Sequence, residues 1–294
     1  MIKQITLGIF LLLSPLAALT ADDNVIYWTG LNNRWGGGDH NSFSQSPKGD
    51  DFERVRSGDS FHMVYNTNVM TGRRMNVRMN RVDVTMLSLN LAAGRNEGFT
   101  FDTTEDNSSG IVLAGPVNVV NGRHTLENSG GVSIRLAGDV AWNIADGARL
   151  VSHIPFSGNA GILKTGNGTL IFRHAENTFA GPVVVRGGAL GGNGSLAGSL
   201  VFEKGTRFQF NPNATLNVKG VTAFAAFGVK DIAGLDAETA VGSHVLVAGT
   251  VEPANIANLG AANAHEFARG KVAYLEADEA GLRLIVETRS RRGR

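Results

Sequence analysis

The chain has 294 residues, 27 basic against 26 acidic, and a formal net charge of +1, so no global charge draws it to nucleic acid or to an anionic membrane. It contains no cysteine, which excludes disulfide staples and leaves packing and backbone hydrogen bonds to hold the fold. Glycine is abundant at 38 residues against 7 prolines, and the glycines punctuate short apolar-alternating runs, a pattern of many strands joined by many turns rather than of a disordered linker.

Met1, Ile2 and Lys3 precede the apolar run Ile5 to Leu13, followed by Ser14-Pro15 and the small residues leading to Ala21. This order predicts a secretory signal peptide over residues 1–21. The run is well short of the roughly 20 apolar residues that span a bilayer, and Ala21 ahead of Asp22-Asp23 offers a cleavage point. No later segment is apolar enough to cross a membrane, so the mature chain is expected to be exported, to the cell surface, the extracellular space or the periplasm. Residues 22–80 are read as an N-terminal capping segment. Its Trp28 and Trp35 fit a lid over the open end of a stack better than a sugar-stacking platform.

From residue 81 to 222 apolar residues recur at every second position: Val82-Val84, Leu87-Leu89-Leu91, Phe99-Phe101, Val117-Val119, Val132-Ile134-Leu136, Val140-Trp142-Ile144, Leu170-Phe172, Val183-Val185, Leu200-Phe202, Phe208-Phe210 and Leu216-Val218. Each reads as a strand with one buried face. Turns stand between them at Asn121-Gly122, Ser129-Gly130-Gly131, Asp146-Gly147, Gly166-Asn167-Gly168 and Gly187-Gly188, where glycine supplies the positive φ of a tight corner. A β-sandwich and a stacked solenoid both suit such a pattern. A unit of about 20 residues, strand, glycine turn, strand, favours the solenoid. The expected fold is all-β, a right-handed parallel β-helix with terminal caps. A β-rich C-terminal capping region follows over 223–287, with strands around Val245-Val247 and Leu282-Leu284-Val286, and then a basic tail over 288–294.

The stretch Gly161-Ile162-Leu163-Lys164-Thr165-Gly166-Asn167-Gly168-Thr169-Leu170-Ile171-Phe172, then Glu176-Asn177-Thr178-Phe179-Ala180-Gly181, then Val183-Val184-Val185-Arg186-Gly187-Gly188-Ala189-Leu190, resembles the autotransporter-associated β-strand repeat, at 161–190. Phe179 for the usual Tyr and Ala189 for the usual Thr are mild departures. Looser likeness to exported repeat proteins of Verrucomicrobia-like bacteria extends through Tyr27-Trp28-Thr29-Gly30, Gly49-Asp50-Asp51 and Phe227-Gly228-Val229. The resemblance implies an exported β-helical passenger serving as a stalk or adhesive surface. No membrane barrel follows the repeat, so self-translocation is not expected, and the arginine-rich tail lacks the apolar span of a sorting signal.

No constellation for catalysis stands out, and the chain is not expected to be an enzyme. Asp139, Asp146, Glu176 and Glu203 fall at turns, and Asp102, Glu105 and Asp106 cluster in a loop. An acid pair for glycoside cleavage is a spatial property that the order of residues does not reveal. Gly192-Asn193-Gly194-Ser195-Leu196-Ala197 matches a dinucleotide fingerprint in letters only, because no helix follows to receive a pyrophosphate. The same stretch opens like a calcium-binding nonapeptide, but Leu196 stands where an aspartate is required. His265-Glu266 begins an H-E-x-x-H motif that ends at Arg269, which cannot ligate. No catalytic, cofactor-binding or metal residue is therefore assigned, and no cofactor is expected. The reading is an exported non-catalytic structural or adhesin-like surface protein, with a carbohydrate-binding or carbohydrate-active β-helix as the alternative. Cell-envelope components or extracellular polysaccharide are the partners in view, not nucleic acid.

Overall fold

A computed structural model describes residues 24–29, 34–35, 43–46, 52–53, 58–66, 76–79, 83–93, 100–103, 110–127 and 133–289. The expected signal peptide at 1–21, Glu105, Asp106 and the tail beyond Arg289 lie outside the described residues.

A strand with an apolar residue at every second position must cover one face. The chain covers it by winding, so that each strand turns its apolar side to a shared interior and pairs with the strand one circuit later. One sheet holds nine strands, Arg34–Trp35, Asn76–Met79, Thr100–Thr103, Arg123–Leu126, Arg149–Ser152, Thr169–Phe172, Ala189–Gly192, Arg207–Gln209 and Ile232–Ala233. Every neighbouring pair in it is parallel. This is the flank sheet. A longer sheet, the main sheet, runs parallel from Val25–Trp28 through Ser60–Asn66, Val84–Ala92, Val117–Val119, Val140–Ile144, Ile162–Thr165, Val183–Val185, Leu200–Phe202 and Thr222–Phe224 to Val251–Glu252. The chain is all-β, a parallel β-helix. Helix among the described residues is limited to the 3-10 segments Val229–Asp231 and Ala261–Asn263.

The circuits are unequal. Arg149 lies beside Thr169 and Thr169 beside Ala189, steps of 20 residues, whereas Ala189 to Arg207 is 18 and Thr222 to Val251 is 29. Both ends change to antiparallel pairing. Phe43–Ser44 joins Val25–Trp28 antiparallel and Phe52–Glu53 joins Phe43–Ser44 in turn. At the other end a third sheet passes from Ser195–Leu196, Leu216–Val218 and Gly242–Ala248 to the antiparallel strands Gly281–Thr288, Lys271–Asp278 and His265–Ala268. Such a change covers a sheet edge that would otherwise template pairing with another chain.

The alternation holds nearly throughout. Leu170 and Phe172, Val183 and Val185, Leu200 and Phe202, and Val140, Trp142 and Ile144 are all buried. Two expected positions depart from it: Val245 is 38% exposed although Val247 is buried, because the strand Gly242–Ala248 bulges between them, and Leu87 is not fully buried. Val84–Ala92 turns a corner, its first half pairing Ile111–Leu113 and its second Val117–Val119, so the inward phase slips and Ser88 and Leu89 are both buried while Leu87 is not. Inside, Trp142, Phe156 and Phe172 form one aromatic cluster with ring centroids 5.2 to 6.4 Å apart. Phe202, Phe224 and Phe227 form another, at 4.4 to 6.0 Å. Such pairs add to the stabilisation from burial itself.

Corners need glycine because successive circuits touch there. At Gly166 (φ 70°) a Cβ would sit 2.2 Å from the Ile144 carbonyl oxygen, and at Gly188 (φ 67°) 2.2 Å from that of Gly168. Two buried polar side chains complete the corners. Lys164 follows Ile162 inward, and its Nζ donates to the carbonyls of Thr165 and Gly166 at 2.8 Å and of Gly187, one circuit on, at 2.9 Å. Asn177 accepts from the Phe156 amide at 3.0 Å and donates to the Ser195 carbonyl at 2.9 Å, tying three circuits at one corner. Both satisfy backbone groups that bends leave without ladder partners.

Candidate functional site

The register of the flank sheet decides what stands on its outer face. His124, Leu150, Leu170, Leu190 and Phe208 point inward, so the residues before them point out, and pairing aligns Arg123, Arg149, Thr169, Ala189 and Arg207 in one row. The next outward row is Thr125, Val151, Ile171, Gly191 and Gln209. In the middle circuits these residues are small, Thr169, Ala189 and Gly191, so the floor is low between the arginines.

Two recesses result. One, of about 290 Å³, is lined by Arg123, Arg149 and Arg207 with Asp146, Asn167 and Thr169. The other, of about 280 Å³, is lined by Arg149, Ile171, Arg173, Asn193, Gln209 and Asn211 among others. Arg149 borders both. Ile171 lies on this outer side as the alternation predicts, yet it is only 4% exposed because it forms part of the second recess rather than an open surface.

Arg149 is the most perturbed member. Burial lowers its pKa, and the positive charges of Arg173 and Arg123 lower it further. Its Nε is buried without a hydrogen-bond partner. Three other arginines of the described residues have carboxylate partners: Arg186 with Glu203 at 3.1 Å, Arg283 with Asp278 at 2.6 Å, and Arg289 with Glu266. Among the described residues none of Arg123, Arg149, Arg173 and Arg207 has an ion pair. Asp146 is the carboxylate that lines the first recess. A planar guanidinium offers several donors in a fork that matches a carboxylate or phosphate, so the arrangement is suited to holding anions.

The acids singled out by sequence are dispersed. Asp139 accepts the Gly161 amide at 2.6 Å, joining one circuit to the next, and Glu203 is engaged by Arg186. Glu176 is exposed near His174, whose Nδ1 accepts the Glu176 amide at 3.0 Å. Asp146 lines the first recess. The side chains of Asp102 and Trp35 lie outside the described residues. Trp28 is buried against Phe43 and Tyr65, with ring centroids 5.3 and 6.1 Å away, so its face is not open to a sugar. Gly192 and Gly194 serve close stacking on Phe172 and His174, where a Cβ would lie 1.8 and 2.5 Å from carbonyl oxygens. Glu266 pairs with Arg289. Among the described residues no group of three or more His, Cys, Asp or Glu could hold a metal ion.

The alternation of apolar residues does not mark the arginine row. A local signal exists: Gly122-Arg123, Gly147-Ala148-Arg149 and Gly205-Thr206-Arg207 each place arginine at a strand start just after a glycine corner.

Comparison of the chain with protein-family profiles, with curated proteins and with solved structures finds no match. The likeness to the autotransporter-associated repeat rests on the residues at 161–190 themselves.

Proposed function

We propose that this chain is an exported, non-catalytic β-solenoid with a structural or adhesin-like role at the cell surface, akin to autotransporter-associated repeat proteins. The observation that carries the reading is the continuous parallel stack from Val25–Trp28 to Val251–Glu252, closed at both ends by antiparallel strands. A stack of this kind is a rigid support that repeats outward-facing positions at the strand spacing. Support for a non-catalytic role comes from Asp139 and Glu203, whose carboxylates hold a neighbouring circuit and an arginine. The leader-like residues 1–21 support export. A carbohydrate-binding role is the second reading, favoured by the arginine and amide side chains on the outer face of the flank sheet.

The test is expression of the full chain and of a form lacking residues 2–21 in a bacterial host, followed by protease treatment of intact cells and fractionation. The full chain is expected outside the cytoplasm and the truncated form inside it. Equal cytoplasmic retention of both would overturn the reading of export. Incubating the purified protein with a panel of polysaccharides tests the rest. Depolymerisation that is lost when Asp139, Asp146 and Glu176 are together changed to Asn or Gln would overturn the non-catalytic role.

A further inference from the structure

Four arginines share one outer face with no ion pair among the described residues, and two of them, Arg123 and Arg149, are direct register partners on neighbouring strands. Like charges placed opposite one another on a sheet repel. Elsewhere in the chain Arg186, Arg283 and Arg289 have carboxylate partners, whereas here the repulsion is left without an ion-paired carboxylate among the described residues. The buried, unpartnered Nε of Arg149 adds a donor that lacks an acceptor, a state that buried polar groups rarely keep.

The spacing favours an extended ligand. From Arg149 the row passes Thr169 and Ala189 to reach Arg207, three strand steps, or about 14 Å at about 4.8 Å per step. The floor between is low, and amides stand at its margins from Asn167, Asn193 and Gln209. We propose that this trough binds an acidic polysaccharide, laid along the solenoid axis with carboxylates against Arg149 and Arg207 and hydroxyl groups against the amides. The depression of the Arg149 pKa by burial and by Arg173 and Arg123 is consistent with a cluster that an anion would relieve.

Nucleic acid fits less well. A single strand is held by aromatic faces on which bases stack, whereas the aromatic ring lining the trough, Phe210, is 5% exposed and turned edge-on to His244 at 5.3 Å. A membrane surface fits less well again, because the large apolar side chains lining the trough, Ile171 and Phe210, are only 4% and 5% exposed and do not project for insertion. Asp146 at the rim opposes an indiscriminate anion site and favours a ligand whose charges are spaced.

The inference names the partner of the proposed surface role and rests on that role only for where the ligand is met, so it is tested on purified protein. Isothermal titration of the full chain with polygalacturonate, dextran and an oligothymidylate is the measurement, with urea midpoints confirming that each variant folds. Binding to polygalacturonate is expected, with none to dextran, and a loss of affinity by the double variant Arg149→Gln, Arg207→Gln of about tenfold or more. Thr169→Asp, which truncates no arginine but sets a carboxylate on the floor, is expected to weaken binding in the same direction. Arg135→Gln, an exposed arginine on strand Ile134–Leu136 of a different face, is expected to leave it unchanged. No binding to polygalacturonate, an equal effect of Arg135→Gln, or tighter binding of the oligothymidylate would each overturn the proposal. Failure here alongside correct export would leave the surface role standing, and binding without export would do the reverse.

Discussion

The repeat circuit at 161–190 and the C-terminal sheet at 242–288 are both regular β-structure, yet they are held in opposite ways. In the circuit no strand pairs with its neighbour in sequence: Ile162 lies between Val140 and Val183, and Leu170 between Leu150 and Leu190. In the C-terminal sheet Lys271–Asp278 and Gly281–Thr288 pair directly through a tight turn. There Asp278 accepts the amides of Ala280 at 2.8 Å and Gly281 at 3.1 Å and pairs with Arg283 at 2.6 Å. Parallel pairing needs a crossover, whereas an antiparallel pair closes on itself. A defect in the circuit is therefore felt by the circuits on either side, and a defect in the hairpin stays local.

The two regions should differ most at the interior of the circuit. Leu170→Asp sets an unpaired carboxylate where the side chain is fully buried, which costs several kcal/mol, on the scale of a domain's whole stability. Global unfolding and rapid proteolysis are expected. Thr169→Asp, one residue away but outward beside Arg149, is expected to be silent or slightly stabilising. Urea melts in which both are tolerated equally would show that the register is wrong.

Corner glycines give the next contrast. Gly188 and Gly270 both have positive φ, 67° and 75°, but a Cβ at Gly188 meets the Gly168 carbonyl while one at Gly270 meets nothing within 4 Å. Gly270→Ala should cost only the backbone penalty, about 1–2 kcal/mol. Gly188→Ala should cost more, because the neighbouring circuit must move. Equal shifts in the urea midpoint would mean that the circuits can part without penalty.

Lys164 couples the stability of the circuit to pH. Burial lowers its pKa from 10.5 to about 7, even though three carbonyls match the donors of its ammonium form. Between those values the unfolded chain binds a proton that the folded chain has released, so folding stability rises with pH from about 7 toward 10.5 and is lost as pH falls back. Urea midpoints of the wild type should increase between neutral and alkaline pH by more than those of Lys164→Met. The same slope in both proteins would remove Lys164 as the source.

The smallest effect is expected in the hairpin. Arg283→Ala breaks a partly exposed ion pair, and such pairs contribute about 0.2–1 kcal/mol. A shift larger than that of Gly188→Ala would reverse the distinction between the two regions.

Much of the circuit was legible in the sequence because strand side chains alternate with a period of two. Leu170 and Phe172 had to share a face, glycines had to mark corners, and an all-β stack followed from short runs with no helical spacing. Leu87 shows where the period alone misleads. It lies two residues before Leu89, but the strand turns a corner between them, and the phase of burial slips with the backbone. Lys164 shows the converse. Alternation after Ile162 directs it inward, against the usual preference of lysine for water, and the residues that make this tolerable include Gly187 on the following circuit.

The outer face needed more than the period. Arg123, Arg149 and Arg207 are unevenly separated along the chain, and circuits of 26, 20, 20 and 18 residues bring them into one row. The circuits differ in length, so spacing in the chain carries no fixed distance in space. Which side chains face the interior was determined by the sequence itself, because that choice is made one strand at a time. Which charges meet outside was decided only by the tertiary structure, because register is a relation between strands and the hydrogen bonds that fix it join residues a whole circuit apart.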